Sequence, residues 1–264
     1  MQLAVHKQSW TELGIVAYAL FMDYFLYGLI VPLGPYSPAK VTSEHEIGML
    51  YGAYAIGVLV ATPVFGYLGD RLGCRRPMLI GVALSVLAVV LFCFGSHFYW
   101  ALLARFAQGA AAAASWTAGL ALVAEHYVEK RVQMMGLAMV GSTAGSVLGP
   151  VAGGWLFDMG GYNLPFIVTG AMVAIDACLR IFFLPPEKGS TEKAPDLKAL
   201  LLDKSILVAG LAVAVAAAGW GIIEPLLPNQ LKAGGVSPGQ VGLIFTVSSI
   251  VYGCFAPVVS WVSE

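Results

Sequence analysis

The chain has 264 residues, of which 59% are hydrophobic and 11% charged, with a formal net charge of −1 and a mean hydropathy of +0.81. A soluble domain carries roughly 25% charged residues, so this composition excludes one: too little polar surface is available to cover it. The net charge says nothing about partners, because topology places the charges, and no nucleic-acid partner is expected.

Eight apolar runs of about the ~20 residues needed to cross a bilayer as helix lie at 12–36, 46–69, 77–95, 98–124, 133–158, 162–184, 205–231 and 238–262. Inside lipid every backbone amide must be satisfied within its own helix, so each run is expected to be α-helical. The fold class is therefore an all-α polytopic membrane protein. The start, "MQLAVHKQSW", is too polar for a signal-peptide core, and the first run is read as a retained helix.

Lys7, Arg71, Arg75, Arg76, Lys130, Arg131, Lys188, Lys193, Lys198 and Lys204 fall on one side of the membrane, and only Lys40 and Lys232 on the other. The positive-inside rule then puts the N-terminus in the cytoplasm. Arg105 and Arg180 fall within spans.

The stretch "PPEKGSTEKAPDLKALLLDK" carries Pro, Gly and mixed charge, and reads as a cytoplasmic linker with a short amphipathic helix over 195–203. The expected division is a six-helix bundle (1–184), the linker (185–204) and two further helices (205–264). An internal repeat supports it. At a shift of 194, Gly48, Tyr51, Pro63 and Asp70 meet Gly242, Phe245, Pro257 and Glu264; at 193, Pro32 and Pro35 meet Pro225 and Pro228. On that register the chain is expected to lack the last four helices of a six-plus-six protein.

Between the second and third spans stands "GYLGDRLGCRRPML" (66–79), and in the fourth "LLARFAQGAAAAASW" (102–116), with Arg105, Gln108 and Gly109. The fifth holds "GSVLGPVAGG" (145–154), in which Gly145, Gly149, Gly153 and Gly154 clear one face for a close helix neighbour and Pro150 bends the backbone. These three stretches resemble signatures of the major facilitator superfamily, the last one that of its twelve-helix drug:proton antiporter branch. The resemblance implies a conformational latch at the hairpin. Gly66, Asp70, Arg71, Gly73 and Arg75 would form it, with Asp70 at a helix N-terminus of the other half and the arginines paired to acids such as Glu125. Cys74 stands where a further basic residue is usual.

"FMDYFLYGLIVPLGPY" (21–36) and "GWGIIEPLLPNQL" (219–231) are similar to the first and seventh helices of vesicular amine transporters. That resemblance places Asp23 and Glu224 on a central cavity, one from each half, to bind a cationic amine or exchange protons, with Arg105 and Gln108 in the same coupling role. Asp176 and Arg180, spaced i,i+4, are expected to form an intrahelical ion pair near the inner surface. His97 and His126 sit at span ends and are expected at the interface, and the tryptophans and tyrosines are assigned to lipid anchors or cavity wall.

The four cysteines have no metal-site or disulfide spacing, and no H-E-x-x-H or phosphate-cradling loop is present. The expected function is secondary active efflux of a small, cationic or amphipathic compound by alternating access. A proton gradient would drive it without cofactor, from a monomer in the cell (inner) membrane. Proton-coupled uptake and a truncated, non-transporting membrane protein are the alternatives.

Overall fold

The computed structural model describes residues 2–37, 43–185 and 204–262. The described residues fold as α1 (Gln2–Leu33), α2 (Glu44–Leu72), α3 (Arg75–Phe94), α4 (Phe98–Ala114), α5 (Leu120–His126), α6 (Arg131–Gly160), α7 (Asn163–Phe183), α8 (Lys204–Ala233) and α9 (Pro238–Val262). A π-helical turn, Ser115–Gly119, joins α4 to α5 within one span. Six of the described helices are long and apolar enough to cross a bilayer, at the positions of the first six expected spans; α8 and α9 occupy the last two. Lys40, the linker residues 186–203 with their expected amphipathic helix, and Glu264 lie outside the described residues.

Local chemistry sets the helix ends. Ser43 accepts from the Glu46 amide at 3.2 Å while the Glu46 carboxylate accepts from the Ser43 amide at 3.1 Å, a reciprocal cap that starts α2. At the other end Gly73 has φ of +80°, a region open to glycine, and its amide returns to the Gly69 carbonyl at 2.9 Å. The hairpin signature therefore contains a glycine because the chain reverses there.

Three helix pairs are pressed backbone to backbone. A methyl group added to Gly145, Gly149 or Gly153 of α6 would overlap the carbonyl of Phe21, Phe25 or Leu29 of α1. On the next helix face, Gly154 lies against the Pro238 carbonyl and Gly242 of α9 against that of Pro150. The fifth-span signature thus works as a two-sided seam, holding α1 on one side and α9 on the other. Thr246 and Ser249 of α9 extend it by donating to the Val147 and Ser146 carbonyls at 2.7 and 3.4 Å. Gly109 does the same for α4 against the Tyr54 carbonyl of α2. Without water to drive helices together, such close packing is a main source of association in lipid.

Candidate functional site

A cavity of about 260 Å³ lies between α1, α2 and α6 on one side and α8 and α9 on the other. Its α1 wall is Tyr24, Tyr27, Gly28 and Val31, the i, i+3, i+4, i+7 stripe of a single helix face. Tyr54 of α2, Ser146 and Pro150 of α6, Glu224 of α8, and Phe245 and Ser249 of α9 complete the wall. Gly28 is needed at its position because a side chain there would strike the Pro150 ring, with a Cβ at 2.8 Å.

Glu224 is 6% exposed. It accepts a hydrogen bond from the Tyr27 hydroxyl, and its main-chain carbonyl accepts from the Tyr51 hydroxyl at 3.5 Å. Behind those two rings sits Arg105, 2% exposed, its guanidinium 5.5 Å from the Tyr27 centroid, 4.9 Å from Tyr51 and 6.0 Å from Phe92. Its Nη1 donates to Gln108 Oε1 at 3.1 Å. Arg105 and Gln108 therefore stand one layer behind the cavity wall and hold the tyrosines from the back, whereas Glu224 reaches the cavity itself.

Asp23 departs from expectation. It is buried at 7% exposure but does not line the cavity. Successive helix residues are turned by about 100°, so with Tyr24 on the cavity stripe Asp23 points to the Ser115 side of α1. There it faces the Ser115 hydroxyl and lies within electrostatic range of Arg180 and Asp176. The expected Asp176–Arg180 pair is formed, with Nε to Oδ1 at 3.0 Å and Nη2 to Oδ2 at 2.5 Å. It is also more than an intrahelical pair, since Arg180 Nη1 donates to the Met78 carbonyl of α3 at 2.9 Å and to Ser115 Oγ at 3.3 Å. Glu224 thus lines the cavity and Asp23 does not, while Tyr54 of the cavity wall lies within electrostatic range of both acids.

At the hairpin, Asp70 and Arg71 are exposed and Arg71 lies 5.3 Å over the Tyr67 ring. Arg75 donates to the Ile181 carbonyl at 2.8 Å, closing the last turn of α7. The expected pairing with Glu125 is not what the arginine uses: Glu125 is exposed on α5, and the α7 carbonyl has taken its place. Cys74 is buried, as an apolar helix-start residue. Gly66 has open space where a side chain would go, so packing does not explain it.

Several contributors were not singled out from sequence. Tyr27, Tyr51 and Tyr54 could have been found from tyrosines at i,i+3 spacing in two spans. Glu12, buried on α1, faces His126 Nδ1 at 3.1 Å, a pairing that no local pattern announces. Lys232 at the end of α8 donates to the Pro35 carbonyl at 2.7 Å and lies 4.2 Å from the Tyr36 centroid, tying the two helix groups together beyond the cavity.

Fold and site together define a polytopic helical membrane protein with a solute-sized, acid-bearing cavity between two groups of helices. The family model described as Major Facilitator Superfamily matches residues 13–212, and the chain belongs to that superfamily. The synaptic vesicular amine transporter of Rattus norvegicus is 32% identical over 212 residues, covering 78% of this chain and 41% of that protein. The chromaffin granule amine transporter of Homo sapiens is likewise 32% identical over 212 residues, covering 78% of this chain and 40% of that protein. The chain thus spans about two-fifths of the length of these relatives. Among solved structures, a bacterial homologue of the human lysosomal transporter Spinster, in an inward-facing and unoccupied conformation, superposes with a TM-score of 0.68 at 17% identity. It covers 95% of this chain and 63% of that one.

Proposed function

We propose that this protein is a secondary active transporter that exports a small organic cation in exchange for protons by alternating access. The observation that carries the reading is the Glu224 carboxylate set into a wall of Tyr24, Tyr27, Tyr54 and Phe245. Aromatic faces attract a cation through their quadrupole, by up to ~2 kcal/mol each when desolvated, and one buried carboxylate supplies the compensating charge. A volume of about 260 Å³ sits near the lower end of small-molecule pockets, which begin at roughly 300 Å³, and suits a compact amine. The names of the amine transporters above support the same substrate class.

Export against a gradient needs a driving force. A proton-motive force of roughly 150 mV would supply about 3.5 kcal/mol per proton, from ~2.3 kcal/mol per 100 mV, equivalent to two to three decades of substrate gradient. Two helix bundles would rock about the cavity, with the hairpin at Asp70 biasing one orientation. The excess of basic residues on one side of the membrane supports a cytoplasmic N-terminus in the cell membrane.

The test is equilibrium binding of a radiolabelled arylethylamine to the purified protein in lipid nanodiscs. Binding should be saturable, weaken as protons compete, and fall at least tenfold in Glu224→Gln. A neutral isostere binding as tightly as the amine, or Glu224→Gln binding as the parent does, would overturn the reading. Proton-gradient-driven accumulation in proteoliposomes then tests transport itself.

A further inference from the structure

We propose that Lys232 and Asp158 form a two-point lock that closes the cavity on the side opposite the Asp70 hairpin, and that both contacts must break before a solute can leave there. The proposal rests on the alternating-access reading above for its role, while its test uses no amine.

Both contacts cross between the six-helix group and α8–α9 at one end of the molecule. Helices α1 and α6 end there and α9 begins there, whereas α2 and α7 end at the hairpin side, where Arg75 meets the Ile181 carbonyl. Lys232, at the end of α8, donates to the Pro35 carbonyl at 2.7 Å, and its ammonium lies 4.2 Å from the Tyr36 centroid. That distance is well inside the ~6 Å reach of a cation–π contact. The 3₁₀ turn Gly34–Tyr36 that receives the lysine is itself held by the six-helix group. Tyr36 packs 4.9 Å from Phe157 of α6, and the Tyr162 hydroxyl donates to Ser37 Oγ at 3.4 Å.

Amide counting at the start of α9 gives the second contact. A helix leaves its first N–H groups without intrahelical partners. Here Pro238 has no N–H to give. The Ser237 amide goes to Gln240 Oε1 at 3.0 Å and the Gln240 amide to Ser237 Oγ at 3.3 Å, a reciprocal cap. The Gly239 amide is the one that reaches across, to Asp158 Oδ2 near the end of α6 at 3.1 Å. A carboxylate there also complements the positive end of the helix. A side chain at 239 would strike that carboxylate and the Trp155 ring, so glycine permits the approach.

Between the lock and the cavity lies an apolar layer of Val31, Val241 and Phe245, with Leu227 and Leu231 against it. Three helices carry the same order. On α1 it is Tyr27 at the cavity, then Val31, then Pro35; on α8, Glu224, then Leu227 and Leu231, then Lys232. On α9, running the other way, it is Phe245, Val241 and Gly239. Apolar contact is non-directional, so the layer excludes solute without fixing how α8 and α9 sit. The two polar contacts beyond it supply that fixed geometry.

Thiol labelling in lipid nanodiscs tests this. Val241→Cys is the reporter, because Val241 is 1% exposed and belongs to the layer but not to the cavity wall. Its reaction with a maleimide, above the background of the native cysteines, should rise about threefold in Lys232→Met and in Asp158→Asn, and about tenfold in the double variant. Lys232→Arg keeps a cation over the ring and a donor for the carbonyl, and should label at the unaltered rate. Ser85→Cys, a buried control on α3, should not respond to any of these changes. An unchanged rate at Val241→Cys in either single variant, a rise in Lys232→Arg equal to that in Lys232→Met, or an equal rise at Ser85→Cys would overturn the lock. None of these results moves the Glu224→Gln binding test, so failure of the lock and failure of the amine reading are told apart.

Discussion

Tyr27 and Glu224, 197 residues apart in the chain, share a hydrogen bond that joins α1 to α8 at the cavity wall. The Tyr27 ring also lies under Arg105, so one side chain touches both the acid that faces the cavity and the buried cation behind it. Removing the hydroxyl alone separates these two contacts. Tyr27→Phe is expected to keep the stack on Arg105 while leaving a buried carboxylate short of a donor, at a cost of about 1–3 kcal/mol. In nanodiscs this should appear as a lower melting temperature and a several-fold change in amine affinity, with Arg105→Lys and Tyr27→Phe effects not additive.

Arg105→Lys is expected to remove most activity. A lysine keeps the charge but not the planar surface that lies against Tyr27, Tyr51 and Phe92, nor the fork that reaches Gln108. Loss of stacking in a desolvated setting should cost about 2 kcal/mol, read as a melting shift. Full proton-driven transport by the lysine variant would leave Arg105 with a charge-balancing role only.

The glycine seam makes a contrast that needs no transport assay. Gly149→Ala puts a methyl group 2.6 Å from the Phe25 carbonyl, and the same change at Gly48 or Gly66 meets open space. Overpacking costs about 1–3 kcal/mol, so the first variant should melt earlier and the other two should melt with the parent protein.

At the hairpin the two charged positions should separate by assay. Arg75→Gln loses the bond to the Ile181 carbonyl and should destabilise by about 1 kcal/mol. Asp70 is exposed, so Asp70→Asn should leave the melting temperature alone. If Asp70 latches the outward-open state, its loss shifts an equilibrium by up to ~2 kcal/mol, about thirtyfold. Thiol labelling of a cysteine placed at Ser249 should then rise in the inward-open population. Unchanged labelling with weakened amine binding would assign Asp70 to the substrate site.

Much of this architecture was legible in the sequence. Apolar runs fixed the helices because a bilayer permits few alternatives. The G-x-x-x-G-P-x-x-G-G stretch marked the seam of α6 because only glycine lets two backbones approach that closely. The Asp176–Arg180 pair followed from one turn of helix. Facing was harder to read. Glu224 was placed on the cavity and Asp23 was not distinguished from it, since both are acids within long apolar runs whose hydrophobicity runs all the way round. The tyrosines were not sorted between lipid anchor and cavity wall for the same reason: a phenol in an apolar run has no local signal that says whether its hydroxyl meets headgroup, cavity or acid.

The sequence by itself determined the positions and order of the apolar spans, the glycine-lined contact faces and the residues that carry charge into the membrane. Only the tertiary structure decided which of those charges meet. Rotation of α1 by one residue's 100° separates Tyr24 on the cavity from Asp23 on the Ser115–Arg180 cluster. That rotation is set by the α1–α6 seam, where the carbonyls of Phe21, Phe25 and Leu29 lie against Gly145, Gly149 and Gly153. Helix register in lipid follows from such steric fit between neighbours, because a uniformly apolar helix has no preference of its own for which side it turns to the protein.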